Sequence, residues 1–266
     1  MKKYLAFFKI SLKKSLEYRA RSFIWLFWDI GPALIMLFFW TSVFQTRNLV
    51  AGYDFYSMAV YYFVVMFSRN LILTHPDEAL QLEIYSGQIS TYLLKPANLI
   101  GLKIFYGVAY KVFKLVYLAP LLLIFYFIFI KGLAISFDFK LINISFFGLS
   151  LLFSFCLYFL IKFLIGITAF WFTEIDWLTG LHMLVFWFFG GVLLPLDLMP
   201  KIMQNIASFL PFKYIFYIPA QGLIGKLSGN QMIFSFLIQI FWLVLFFILT
   251  KKVYKSGLKA YSAFGG

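Results

Sequence analysis

The chain has 266 residues, of which 63% are hydrophobic and 12% charged, whereas an average soluble domain is about half apolar and about a quarter charged. This composition argues against an ordinary soluble domain and indicates a membrane protein. A net charge of +13 could attract nucleic acid, but the basic residues lie beside apolar runs, and no separate polar domain is present to bind a duplex. We therefore expect membrane lipids with anionic headgroups, and no nucleic acid, as partners.

The first predicted element is an amphipathic helix within residues 1–22. At about 100° per residue, Leu5, Phe8 and Leu12 share one face, while Lys9 and Lys13 lie opposite. This pattern is typical of a helix that lies in the membrane interface. Its role is either a simple anchor or a docking element for a cytoplasmic partner.

Six apolar blocks follow, each long enough to cross the hydrocarbon core of a bilayer as a helix. We predict an all-α, polytopic membrane protein with a single domain over residues 1–266. Lys111 and Lys114 interrupt the third block, and we place both on a protein or headgroup face. The predicted transmembrane helices cover 23–44, 57–74, 104–130, 144–172, 178–196 and 232–250.

The orientation follows from the distribution of lysine and arginine. These residues concentrate in the amino-terminal helix, after the second predicted span and in the carboxyl tail. Because short cytoplasmic flanks carry an excess of basic residues, both termini and the segment 75–103 are predicted to be cytoplasmic. The segment 197–231 is then extracellular, and an even number of spans agrees.

The segment 75–103 is polar where its surroundings are apolar. Pro76 followed by Asp77 and Glu78 is typical of a helix start, and Gly87 can end that helix. We predict two short helices joined at Gly87, with a solvated loop as the alternative. The side chains that these helices would present to a partner are Ile89, Tyr92 and Leu93.

The sequence EIYSGQISTYLLKP, from Glu83 to Pro96, resembles the coupling segment of type 2 ABC exporter permeases, which carry an acidic residue, a glycine and then Leu-Leu-Lys/Arg-Pro. Residues 193–219 resemble the family's short extracellular helices before the last span. The ending YSAFGG resembles that of a bacterial subfamily of about this length, and the basic helix leading into WLFWDIGPALIMLFFW is also similar. The ATPase-coupling residues implied by the resemblance are Glu83, Ile84, Tyr85, Gly87, Ile89, Tyr92, Leu93, Leu94, Lys95 and Pro96.

The resemblance implies the permease half of an ATP-binding cassette exporter in the bacterial inner membrane. Such a half works as a dimer with an identical or homologous second permease subunit, and with cytoplasmic ABC ATPase subunits. The residues agree, because no G-x-x-x-x-G-K-[ST] loop is present to cradle ATP phosphates. We expect a transport subunit and not an enzyme, with no cofactor on this chain and with ATP and Mg on the partner ATPase.

Two other classes of function remain open on the residues alone. An ATP-independent secondary transporter or flippase would carry charged residues near the membrane midplane and often internal repeats. A membrane-embedded enzyme would need paired carboxylates or a histidine cluster at one depth. With two histidines on separate segments and acids mostly in flanks, we expect neither catalytic nor metal-binding residues.

Two ionisable residues within the predicted spans are candidates for the translocation path or a subunit interface, because charges in lipid are costly. Asp29, close to Pro32, could pair with a cation or disrupt the first helix. Lys162 could line the interface. It could also pair with Glu174 or Asp176 if the chain bends, since twelve helical residues span about 18 Å.

Half of the eight prolines lie between the fifth and sixth predicted spans. Because proline stops helices, this region should form short helices that dip into the outer leaflet. We predict an external lid over the path, with an amphipathic loop resting on the membrane as the alternative. The candidate lid residues are Pro195, Asp197, Pro200, Pro211 and Pro219.

Overall fold

The computed structural model describes residues 2–17, 19–94, 98–125, 127 and 140–261, with side chains described outside positions 2–4, 14–16, 19–30, 33, 117, 121–122 and 124–125. The described residues form helices and no β-strand beyond one isolated bridge. The helices are α1 (Lys2–Glu17), α2 (Arg19–Phe44), α3 (Phe55–Ile72), α4 (Pro76–Tyr85), α5 (Ile89–Leu93), α6 (Leu99–Phe125), α7 (Leu141–Ile167), α8 (Asp176–Phe189), α9 (Lys201–Ser208), α10 (Tyr217–Ile224) and α11 (Gly229–Ala260).

Helix α7 lies at the centre of the bundle, with α11, α4, α10 and α3 packed around it. Its 27 residues carry little charge, and the residues of its second half are almost all buried. Helix α1 packs along α6, and α2 packs along α3. The buried side chains form two apolar clusters, one around α3, α7 and α10 and a smaller one beneath α4 and α5.

Among the described residues, three helical stretches are long and apolar enough to cross a membrane: Phe55–Tyr85, Leu141–Phe170 and Gly229–Ala260. They correspond to the second, fourth and sixth predicted spans. A shorter apolar helix covers Leu34–Thr46, within the first predicted span. Six spans therefore stay a prediction, while several apolar helices and the all-helical class are established.

Several helices end at positions that differ from the predicted ones. We predict a span over 178–196, but helix α8 ends at Phe189. It ends there because Gly191 takes a positive φ of 75° and turns the chain. Its 14 residues cover about 21 Å, which is less than the roughly 30 Å of a bilayer core. Helix α11 instead continues to Ala260, beyond the predicted end at residue 250.

Helix α2 is continuous through Asp29 and Pro32. Of the two roles considered for Asp29, disruption of the first helix is therefore not observed, because one proline removes a single backbone hydrogen bond and a helix can absorb that loss. The side chain of Asp29 lies outside the described positions.

The two lysines that interrupt the third apolar block have a definite role in packing. Lys111 is buried, and its Nζ donates to the backbone oxygens of Asn70, at 3.1 Å, and Leu73. Lys114 Nζ donates to the Asn70 Oδ1 at 3.2 Å. Both cations thus meet the carboxyl end of α3, where the helix dipole favours positive charge. The prediction of a protein face is confirmed for both lysines.

Candidate functional site

The polar segment between α3 and α6 folds as two short helices with a sharp turn, and we call residues 76–94 the elbow. Pro76 occupies the first turn of α4, and Asp77 and Glu78 follow it, as the helix-start pattern predicts. The helix ends at Tyr85, and Gly87 has a φ of 73°, which glycine adopts without a steric penalty. The prediction of two helices joined at Gly87 is confirmed. Lys95 and Pro96 lie outside the described residues.

One face of the elbow is buried inside the chain. Leu80, Ile84 and Ile89 pack with Phe159 and Phe163 of α7 in the smaller apolar cluster. The prediction that Ile89 faces a partner is wrong, because its side chain is 0% exposed. Ile89 is the first residue of α5, and its side chain packs with Leu80 and Ile84 of α4.

The elbow also exposes large apolar side chains. The exposed fractions are 65% for Leu82, 69% for Tyr85, 40% for Leu93 and 87% for Leu94. We call these four side chains the docking face. Apolar side chains that are grouped at the end of a helix bundle indicate a surface that another molecule covers.

A buried ion pair fixes the start of the elbow to the bundle. Lys162 of α7 pairs with the Asp77 Oδ2, and the two side chains are 3% and 0% exposed. Thr179 of α8 donates a hydrogen bond of 3.0 Å to the same oxygen. Lys162 therefore binds Asp77, and the suggested partners Glu174 and Asp176 are exposed instead. Sequence reasoning missed this pair because 85 positions separate its members.

The elbow also lies against α7 without space between them. A Cβ atom on Gly166 would come within 2.7 Å of the Asp77 Cα and 2.9 Å of the Leu80 Cδ1. Only glycine allows this approach of α4 to α7. A movement of α4 toward α7 must therefore move α7 as well.

A second ion pair holds the middle of the elbow. Glu83 accepts from the Lys103 Nζ of α6 at 2.5 Å, and both side chains are largely buried. The same ammonium lies 5.0 Å from the centroid of the Tyr92 ring, so that it binds α4 and α5 together. Glu83 and Tyr92, both predicted as coupling residues, thus act within the chain.

The end of the last helix reaches the elbow through Tyr261. Its hydroxyl lies 3.1 Å from the Ser90 Oγ and 3.5 Å from the Gly87 oxygen. Its ring packs edge-on against Phe170, at 5.7 Å between centroids. The first residue of the YSAFGG ending therefore holds the glycine turn, and the other five lie outside the described residues.

At the other end of α3, a polar cluster holds the segment between α8 and α10. Asp197 accepts hydrogen bonds from Tyr53 at 2.8 Å, Tyr217 at 2.5 Å and Gln221 at 3.0 Å. We call these four residues the Asp197 cluster. The ammonium of Lys226 lies over the Tyr53 ring. The tyrosines and the glutamine lie far from Asp197 in the chain, so the sequence indicates none of these contacts.

The four prolines of the predicted lid have different surroundings. Pro195, Pro211 and Pro219 are buried, and Pro200 is exposed at the start of α9. Two tyrosines of α3 fix the chain after α8: Tyr61 donates to the Gly191 oxygen at 2.6 Å and Tyr62 to the Leu193 oxygen at 2.9 Å. The lid region is thus short helices with many internal contacts, and its role stays a prediction.

The two histidines lie in separate places. His75 lies 3.4 Å from the Glu78 carboxylate, and His182 is buried against the rings of Tyr158 and Phe186. Among the described residues, no group of three or more His, Cys, Asp or Glu side chains could hold a metal ion.

Comparison with known families agrees with this architecture. The sequence profile of the ABC-2 family transporter proteins matches residues 30–265, which include the elbow, the Asp197 cluster and all helices from α3 to α11. The chain therefore belongs to the ABC-2 family of transporter proteins, and it is a membrane protein of the transport type and not itself a hydrolase. No curated protein matches the chain.

Proposed function

We propose that this chain is the permease subunit of an ATP-driven exporter, and that a separate ABC ATPase subunit binds its docking face from the cytoplasm. The observation that carries the proposal is the contrast between the two faces of the elbow. The inner face is fixed by two ion pairs, while Leu82, Tyr85, Leu93 and Leu94 are exposed. A segment that transmits force from a partner needs an inner face fixed to the bundle and an outer face that the partner can bind.

The topology that we propose has six spans and both termini in the cytoplasm of a bacterial cell, in the inner membrane. Support comes from three helices long and apolar enough to span and from the lysines in the last part of α11, at positions 251, 252, 255 and 259. The elbow then lies on the same side as these lysines, because Tyr261 contacts it.

The coupling mechanism follows from the packing of α4 on α7. ATP and Mg bind the partner ATPase subunits, whose closure pushes the docking face. The absence of free space at Gly166 passes that displacement to α7, and the Asp77–Lys162 pair prevents the helices from separating on the return. Two such halves, identical or homologous, enclose the path.

The segment held by the Asp197 cluster is proposed as the external lid. Its connections to α3 are neutral hydrogen bonds, in which Tyr61 and Tyr62 donate to the backbone oxygens of Gly191 and Leu193. Each neutral hydrogen bond contributes only about 1 kcal/mol net, so these connections can be broken and re-formed. Cysteine cross-links between the segment and α3 should form in the resting state and fall when ATP is trapped; unchanged yields would exclude a lid.

The experiment that tests the proposal is co-purification of this chain with ABC ATPase subunits from its source cells. The quadruple variant Leu82→Ser, Tyr85→Ser, Leu93→Ser, Leu94→Ser alters exposed side chains only, so the fold should survive. We expect loss of the bound ATPase. The matched control, Ile202→Ser with Phe209→Ser, removes apolar side chains that are exposed at 74% and 81% on the lid region and should keep the ATPase.

Full binding of the ATPase by the docking-face variant would refute the coupling role. An ATP-independent transporter or flippase is the alternative function, and the buried Asp77–Lys162 pair is the observation that favours it, because such pairs can serve proton relays. Transport that survives ATP depletion and stops on collapse of the proton gradient would select this alternative.

A further inference from the structure

A cavity of about 420 Å³ lies between the elbow, the start of α6 and the end of α11. Tyr92, Leu99 and Ile100 form one side of it. Lys251, Tyr254 and Lys255 form the other side. The cavity is thus apolar and aromatic in its interior and cationic along α11.

The charge of this cavity is not neutralised within the part of the chain that the structure describes. Lys251 and Lys255 are one helical turn apart on α11, and neither has a carboxylate within 4.0 Å there. Both side chains are exposed, and no acidic residue lines the cavity. Two ammonium groups on one face of α11, neither with a carboxylate partner among the described residues, favour a ligand with negative charge.

The depth of the cavity indicates where that charge comes from. The apolar part of α11 ends at Leu249, and the Lys251 Nζ lies 4.3 Å from the centroid of the Phe247 ring. Lysines that directly follow an apolar span lie at the level of lipid phosphates. The cavity wall at Leu99 and Ile100 is apolar, which suits the first acyl carbons of a lipid.

From these observations we infer that the cavity binds the headgroup of an anionic phospholipid from the inner leaflet. The lipid contacts α5 through Tyr92 and α11 through the two lysines, and so holds the elbow against the last span. The inference rests on the orientation given under the proposed function and adds a ligand to the coupling site.

The test is native mass spectrometry of the full-length protein in detergent, with phosphatidylglycerol, phosphatidylcholine or inorganic phosphate added. We expect the protein to retain one molecule of phosphatidylglycerol and to retain neither phosphatidylcholine nor inorganic phosphate. The variant Lys251→Gln with Lys255→Gln should weaken lipid binding about 30-fold, since each lysine near a lipid surface raises the binding constant about fivefold. The matched control, Lys252→Gln with Lys259→Gln, removes the same charge from exposed positions of α11 that do not line the cavity, and should retain the lipid.

Three results would overturn the inference. Equal loss in both double variants would show attraction by general surface charge only. Binding of inorganic phosphate with displacement of the lipid would show a free-phosphate site. Retention of no lipid at all would show that the cavity does not bind lipid and would favour an acidic protein as the partner of the lysines.

Size-exclusion profiles of all variants test whether they fold. Because lipid retention requires no ATPase, and ATPase co-purification requires no added lipid, failure of this inference and failure of the proposed function give different results.

Discussion

The elbow and the Asp197 cluster lie at the two ends of α3, whose 18 residues separate them by about 27 Å, and they are fastened by different chemistry. The elbow is held by two ammonium–carboxylate pairs, Asp77–Lys162 and Glu83–Lys103, both shielded from water. The segment near Asp197 is held by hydroxyl and amide donors that meet one carboxylate. Separating a buried ion pair leaves uncompensated charges, whereas a neutral hydrogen bond contributes only about 1 kcal/mol net. The elbow is thus fastened by stronger contacts than the segment near Asp197.

The largest effect is expected for Lys162→Met, which leaves Asp77 buried without its cation. We expect a loss of about 3–5 kcal/mol in the free energy of unfolding, measured by denaturant or heat in detergent. Lys140→Met, at an exposed position before α7, is the control and should change little.

The double variant Asp77→Leu with Lys162→Met sharpens this result. The Asp77 Oδ1 is buried and has no hydrogen-bond partner among the described residues, so the pair is incompletely satisfied. Replacing both partners by apolar side chains should restore most of the stability that the single variant loses. A single variant as stable as the original chain would show that the pair does not fasten the elbow.

The next effect concerns Gly166→Ala, whose Cβ would collide with the backbone of α4. We expect a loss of about 1–3 kcal/mol, although alanine favours helix over glycine by about 1 kcal/mol. Gly148→Ala on the same helix has no atom within 4 Å and should be neutral or stabilising. If both variants behave alike in thermal unfolding, α4 does not lie tightly on α7.

The Asp197 cluster should respond to high pH. Burial and the charge of Asp197 raise the pKa of Tyr53, and burial with the hydrogen bond to Asp197 raises the pKa of Tyr217. The folded chain therefore holds these protons more tightly than the unfolded chain. This stabilisation is present below about pH 10 and is lost as the pH rises above it, by about 1–3 kcal/mol per pH unit.

The measurement is the unfolding midpoint between about pH 9 and about pH 11. Tyr53→Phe should flatten this dependence, and Tyr56→Phe, at an exposed tyrosine nearby, should leave it unchanged. An identical slope in both variants would exclude the cluster as its source.

The smallest effect is expected for Tyr261→Phe, which removes the hydroxyl that meets the glycine turn. A loss of about 0.5–1.5 kcal/mol should appear as faster hydrogen exchange of the amides from Gly87 to Ser90. Tyr85→Phe, exposed at 69% in the same elbow, is the control. Unaltered exchange in the Tyr261 variant would mean that α11 does not hold the turn.

Local features of the elbow could be predicted from the sequence, and its long-range contacts could not. Pro76, the two acids after it and Gly87 determine helix ends through the backbone alone, and the structure has them as predicted. The burial of Ile89 and the pairing of Lys162 depend on which helix lies beneath the elbow. A single sequence does not contain that information.

The same distinction applies to the Asp197 cluster. The prolines indicate short helices between α8 and α11, and the structure contains them. The donors to Asp197 come from positions 53, 217 and 221, before α3 and within α10. The one local signal is a single acid in an apolar, proline-rich segment, which indicates a hydrogen-bonding role without identifying the donors.

Helix α7 is a continuous helix that connects the elbow with the region of the Asp197 cluster. At Gly166 it touches the elbow, and at Phe146 its ring fills the space that a side chain on Gly222 would occupy. Between them, Ser154 donates to the Tyr214 oxygen at 3.3 Å, next to the Asp197 cluster in the chain. The 20 helical steps from residue 146 to residue 166 cover about 30 Å, and a helix transmits axial displacement with little compression. Under the proposed function, a displacement of the elbow would therefore reach the segment near Asp197 through one continuous helix.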